Sequence, residues 1–213
     1  MSVLFAFAFA VLFSFVGVLP PGIVNLTVAN YSVKKSLKRA RRFINGAILV
    51  VFIQSVLGYY FATFLKSHPQ VMQNLQLVGS VVFILLTIFF LGKGIQNFID
   101  SKEEIKKKST KSKLKPFLHG IFISGLNVFP IPYYAFVSLY LSAFIEGFFT
   151  NLVGLAFVFG TTLGTFIVFM GYAYLFRKIK HKVTFFIKNI NVIIAIITSL
   201  IAVFTIYSLN KQI

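Results

Sequence analysis

Two short stretches hold residue types whose spacing could do chemistry. The first reads Gly17-Val18-Leu19-Pro20-Pro21-Gly22-Ile23-Val24-Asn25, and the second Gly125-Leu126-Asn127-Val128-Phe129-Pro130-Ile131-Pro132-Tyr133. Each sets two prolines and an asparagine inside a long uncharged run. A proline in a helix interior removes one backbone donor and clashes with the carbonyl four residues earlier, at about 3 kcal/mol or more. Two within three residues are expected to open a full turn. In hydrocarbon the freed amides and carbonyls need partners, so irregular backbone survives only where protein or a water-filled cavity surrounds it. Half-helix N-termini attract carboxylate and C-termini attract ammonium, so two such breaks facing one another would suit a zwitterion. Four of the six prolines occupy these two places, and the other two, Pro69 and Pro116, lie at segment ends. Laying Pro20 over Pro130 aligns Gly17 with Asn127 and Gly22 with Pro132.

Other polar residues could line the same space. Asn25 lies just past the first break and Asn127 just before the second. Each needs partners in an apolar setting, and two uses are open, capping freed backbone or holding a substrate. Gln54, Ser55, Thr161, Thr162 and Thr165 lie within other uncharged runs, and Tyr133 and Tyr134 follow the second break. For the threonines there is a competing reading, because Gly160 and Gly164 form a small-xxx-small pattern that lets helices pack closely. The candidate binding set is therefore Pro20, Pro21, Gly22, Asn25, Gln54, Asn127, Pro130, Pro132, Tyr133, Tyr134, Thr161 and Thr162. The remaining tyrosines and phenylalanines read as lipid-facing or packing residues.

Acid–base candidates are few. The carboxylates are Asp100, Glu103, Glu104 and Glu146, and none lies near the middle of an uncharged run. The first three pair naturally with the lysines around them. His119, near one end of the fourth run, is the best proton-coupling candidate, since histidine titrates near neutrality. A structural role is the competing reading for an interfacial histidine, and His68 and His181 are loop residues. There is no Gly-rich phosphate loop, no His-Glu-x-x-His and no cysteine. Ser14, Ser124 and Ser138 lack a base other than His119. No catalytic residue, metal ligand or cofactor is expected, and the pattern points away from an enzyme.

The elements that must position these residues are membrane helices. The 213 residues are 58% hydrophobic and 12% charged, where a soluble domain has roughly a quarter charged. Uncharged runs cover residues 1–33, 43–65, 70–92, 117–145, 147–176 and 189–210. Each reaches the roughly 20 residues that span a bilayer. The runs holding the two breaks, 33 and 29 residues long, exceed a straight crossing. The first run lacks a basic start and a small-residue cleavage site, so it reads as a span and not as a cleaved leader.

Net charge is +17, yet the basic residues sit at or between span ends, so anionic lipid, not nucleic acid, is their expected partner. Loop 1 carries Lys34, Lys35, Lys38, Arg39, Arg41 and Arg42. Loop 3 carries Lys93, Lys102, Lys106, Lys107, Lys108, Lys111, Lys113 and Lys115, and loop 5 carries Arg177, Lys178, Lys180, Lys182 and Lys188. Elsewhere only Lys66 and Lys211 occur. The positive-inside rule puts loops 1, 3 and 5 in the cytoplasm and both termini outside it.

The hydrophilic stretch 100–116 reads as a basic connector between halves 1–99 and 117–213. Three spans per half force opposite orientations. The expected fold is thus all-α: a polytopic bundle of six transmembrane helices built as two inverted-topology three-helix repeats, the layout many secondary transporters use. A homo-oligomer is compatible with it.

At these residues the chain resembles the LysE/RhtB family of bacterial amino-acid exporters. Pro21-Gly22 matches the start of that family's Pro-Gly-Pro signature, with Ile23 in place of the second proline. Gly120 and Asn127 fit its Gly…Asn-Pro signature, although two residues separate Asn127 from Pro130 and the usual lysine is absent. The resemblance implies a multi-pass protein of the bacterial plasma membrane that exports amino acids or similar small polar metabolites by alternating access, driven by the proton-motive force. The alternatives are an ion or metal-ion exporter on a similar inverted repeat, and a non-transporting assembly or signalling protein acting through loop 3.

Overall fold

The computed structural model describes residues 1–71 and 114–178. All regular structure among them is α-helical: α1 (Ser2–Val18), α2 (Ile23–Lys34), α3 (Leu37–Ser67), α4 (Pro116–Leu126), α5 (Pro130–Ser142) and α6 (Asn151–Lys178). Helices α3 and α6 are each long and apolar enough to cross a membrane. The pairs α1–α2 and α4–α5 meet that test only jointly, bent by 78° and 65° across breaks of at most four residues. The doubly prolyl stretches therefore interrupt their spans as expected. The expected third and sixth spans, 70–92 and 189–210, lie outside the described residues apart from 70 and 71, as does nearly all of the connector 100–116.

Met1–Ser67 and Ser112–Lys180 form one compact unit, and His68–Lys111 with His181–Ile213 form another, of which only 68–71 are described. The first unit unites elements from both halves of the chain: α1 runs along α6, while α3 packs on α4 and α5.

Glycines bring these helices into backbone contact. A Cβ on Gly160 would lie 2.6 Å from the Phe7 carbonyl oxygen, and one on Gly164 2.5 Å from that of Val11. The small-xxx-small pattern is thus the surface on which α1 lies. The α3–α4 crossing is reciprocal. A Cβ on Gly46 would sit 2.0 Å from the Phe117 oxygen, and one on Gly120 2.1 Å from the Phe43 oxygen. One helix face further along, Gly58 meets the Ile131 oxygen of α5, where an added Cβ would stand at 2.8 Å. Lipid tails offer no apolar driving force between helices, so this close packing and the polar contacts across it hold the unit together.

Gly120→Val is accordingly expected to lower the melting temperature of the purified protein, since overpacking costs about 1–3 kcal/mol. Gly125→Ala, whose new methyl meets no atom within 4 Å, should leave it unchanged. Thermal loss of the monodisperse peak on gel filtration measures both.

Candidate functional site

Each break presents carbonyls that have lost their helical partners, and each is capped by a primary amide. At the first, residues 19–22 separate α1 from α2, with Gly22 extended at the N-cap (φ −95°, ψ −179°). Asn25 Nδ2 donates to the Val18 and Pro20 carbonyls at 2.7 and 2.9 Å. The Leu19 carbonyl between them accepts from Tyr172 Oη at 2.7 Å. Asn25 is buried. Of the two uses open to it, the structure exhibits the cap.

The second break differs in where its prolines lie. Residues 127–129 form the interruption, Pro130 is the first residue of α5, and Pro132 stands in the same opening turn. A proline at the first helical position loses a hydrogen bond that position never makes. This pair therefore restarts a helix, whereas Pro20 and Pro21 lie within their break. The carbonyls at the end of α4 are met from the other half of the chain: Gln54 Nε2 of α3 donates to Ser124 O at 3.1 Å and Asn127 O at 2.7 Å. Pro20, Gly22 and Pro132 are exposed, and Pro21, Asn127 and Pro130 half-buried.

Two tyrosines join the second broken span to the first. Tyr133 Oη donates to the Phe13 carbonyl at 2.7 Å. Its ring covers Gly17, where a Cβ would lie 2.2 Å from that oxygen. Tyr134, fully buried, enters a hydroxyl cluster with Ser14 of α1 and Thr165 of α6. Ser14 Oγ donates to Thr161 O at 2.7 Å and lies 2.7 Å from Thr165 Oγ1, which is 3.0 Å from Tyr134 Oη. A hydroxyl has one proton. Since that of Ser14 goes to Thr161 O, Thr165 must donate to Ser14, and Tyr134 donates to Thr165, its shorter contact, with Ser14 Oγ at 3.4 Å. The result is a directed chain of three hydroxyls ending on a backbone carbonyl.

Thr161 and Thr162 turn their own hydroxyls back onto Val158 O at 2.9 and 2.7 Å. They are satisfied within α6. Beyond the hydroxyl cluster, a half-open groove of about 290 Å³ is lined by Phe9, Phe13, Tyr140, Leu141, Phe144 and Ile145. It is apolar, and none of the residues of the two breaks lines it.

A second polar group ties α2 to its neighbours near the basic loops. His119 Nδ1 lies 2.9 Å from Tyr31 Oη, and both rings pack on Phe43. The Lys35 ammonium sits 4.3 Å from the Tyr31 ring centre. Ser32 Oγ donates to the Ala173 carbonyl, and Arg41 to Tyr174 Oη.

Charge is kept to the rim. Every described Lys and Arg is exposed, and Glu146, the one carboxylate among the described residues, is exposed too. No group of three metal-ligating side chains occurs among the described residues.

Tyr31, Tyr59 and Tyr172 add hydrogen bonds to the mostly lipid-facing or packing role read for tyrosines outside the breaks. Tyr59 is buried and donates toward Phe148 O and Thr150 O at 3.3 and 3.2 Å. Ser14, which the sequence offers as a serine without a base, belongs to the hydroxyl chain. A faint signal existed for it: Ser14 and Gly17 interrupt an otherwise apolar helix.

The family model described as "LysE type translocator" matches residues 15–209, most of the chain. No curated protein and no solved structure matches it.

The direction of the hydroxyl chain sets an order of effects. Tyr134→Phe removes its first donor and leaves Ser14 and Thr165 paired, at a cost of about 1 kcal/mol. Thr165→Val breaks the chain in its middle and is expected to cost more, about 1–3 kcal/mol. Denaturation midpoints of the two variants check the ranking.

Proposed function

We propose that this protein, which belongs to the LysE type translocator family of membrane transporters, exports amino acids or similar small polar metabolites by alternating access. The supporting observation is that two proline-broken helix pairs, one from each half, are joined by Tyr133 bonding Phe13 O and by Tyr134 beside Ser14, while Gln54 ties the second break to α3. Nothing in a passive membrane anchor requires two interrupted helices. Interrupted helices are instead how secondary transporters offer backbone polarity to a solute within hydrocarbon.

The substrate site lies between the breaks, at Pro20–Asn25 and Asn127–Tyr134, with Gln54, Thr161 and Thr162 beside them. In the closed arrangement the amides and hydroxyls satisfy the freed backbone. On opening, they and the carbonyls they cap exchange those partners for the solute. The two halves are inverted three-span repeats, with the basic loops cytoplasmic, both termini outside, and the protein in the bacterial plasma membrane. The hydrocarbon-spanning parts carry no charge of their own, which keeps the empty carrier inexpensive to reorient.

The proton-motive force drives export, and His119 carries the coupling. Its contact with Tyr31 at 2.9 Å links α4 of one half to α2 of the other. A proton gained or lost there alters a bond between the halves.

Cells expressing the protein and loaded with dipeptides are expected to release at least one amino acid several times faster than cells without it. Equal release across the full set would count against export. His119→Gln should abolish concentrative export while leaving downhill exchange of the same amino acid, a split that radiolabel counterflow in vesicles measures.

A further inference from the structure

Gln54 is the amide at the breaks whose unpaired atom is buried. Its Nε2 serves two carbonyls, yet its Oε1 is buried and has no hydrogen-bond partner. The residue is only 4% exposed. Exchanging the two amide atoms does not resolve this, because it would aim Oε1 at two carbonyl oxygens, Ser124 O and Asn127 O, which cannot donate. The orientation is fixed by its acceptors, so the oxygen is left over. A buried amide oxygen without a donor is costly, and native proteins rarely keep one idle.

The surroundings specify what could complete it. The oxygen sits beside the C-terminal end of α4, where Ser124 O already accepts from Asn127 N and from Gln54. Such an end carries partial negative charge. In α3 the nearest basic residues are Arg42 and Lys66, each twelve positions away, or about 18 Å along the helix. The missing partner must be a donor, is favoured by positive charge, and is not found among the described residues. Channels and carriers use this arrangement, with neutral oxygens replacing the hydration of a cation.

We infer that Gln54 Oε1 is the acceptor for the primary ammonium group of the exported solute, at the second break. This rests on the export reading above and adds to it which atom reads which part of the substrate. Because the oxygen is sealed in the closed arrangement, the ammonium reaches it only when α3 parts from the α4–α5 break. The unpaired acceptor thus raises the energy of the empty closed form relative to the loaded one. Asn25 cannot serve in the same way, since its helix end is already covered by two side chains, its own amide and the Tyr172 hydroxyl.

The test uses the full-length protein in lipid nanodiscs and reads thermal stabilisation, which reports ligands that bind the folded state. The probes are the common L-amino acids, each beside its N-acetyl derivative, which lacks the ammonium, with sodium chloride as a separate titrant. At least one amino acid should stabilise the parent, and its N-acetyl form should not. In Gln54→Met the apparent affinity for that amino acid should fall about 10- to 100-fold, the range for losing a hydrogen bond to a charged group. Gln54→Lys covers the case in which Gln54→Met does not fold. Its own ammonium can donate to Ser124 O and Asn127 O, which offsets part of the cost of burying it, so the variant should still fold, yet be blind to the amino acid. If either folded variant binds the amino acid as the parent does, or if the N-acetyl form binds equally well, the inference is overturned while export stands. Stabilisation by sodium chloride that vanishes in the variants would assign the oxygen to a metal cation and also overturn it. If no amino acid binds the parent, the export reading fails and takes this inference with it.

Discussion

A carbonyl or amide released from its helix inside hydrocarbon must find another partner, and that requirement organises everything described above. Two spans are broken by sequence, and each break is met by a side chain able to donate without carrying charge. Lysine could reach the same carbonyls, but a charge at the bilayer centre costs about 2.5–3.5 kcal/mol even on the lenient insertion scale. Asparagine and glutamine avoid that cost and give two N–H groups from one atom, which suits carbonyls lying side by side at a helix end. Asn25 and Gln54 are used in this way.

The caps also decide which parts of the chain depend on one another. Asn25 belongs to the span it repairs, so the first break is largely self-contained. The second is completed by α3, and its two tyrosines are anchored on α1 and α6. Glycines make those cross-links reachable by removing side chains from the crossings. With Gly46 and Gly120 opposed, α3 and α4 approach until each backbone touches the other. That proximity brings Gln54 to the end of α4 two turns further along. Packing and polarity are therefore not separate layers here, since the small residues set the distances at which the polar ones can bond.

Much of this was legible in the sequence, because its causes are local. Uncharged runs of membrane length, lysine-rich loops and paired prolines each act through a rule that needs no tertiary knowledge. The helix breaks followed from them. Roles were harder to read. Whether an asparagine caps or binds depends on which carbonyls lie within 3 Å, and those are fixed by packing. The hydroxyl chain through Ser14 and Thr165 joins residues about 150 positions apart, and a lone serine in an apolar helix gives no hint of its partner. The second proline pair begins the next helix instead of lying in the break, because proline signals an interruption equally well from either side of it.

The order in which these parts occur along the chain has a consequence for biosynthesis. Gln54 precedes the carbonyls it caps by about seventy residues, so a ribosome working from the N-terminus delivers the donor to the bilayer before the acceptors emerge. Asn25 follows its own break within one turn and arrives with it. Only the Leu19 carbonyl waits, for Tyr172 of α6. A circular permutant opened between the two halves would reverse this for the second break, leaving Ser124 and Asn127 exposed to acyl chains until α3 was synthesised, and insertion of that span would suffer first.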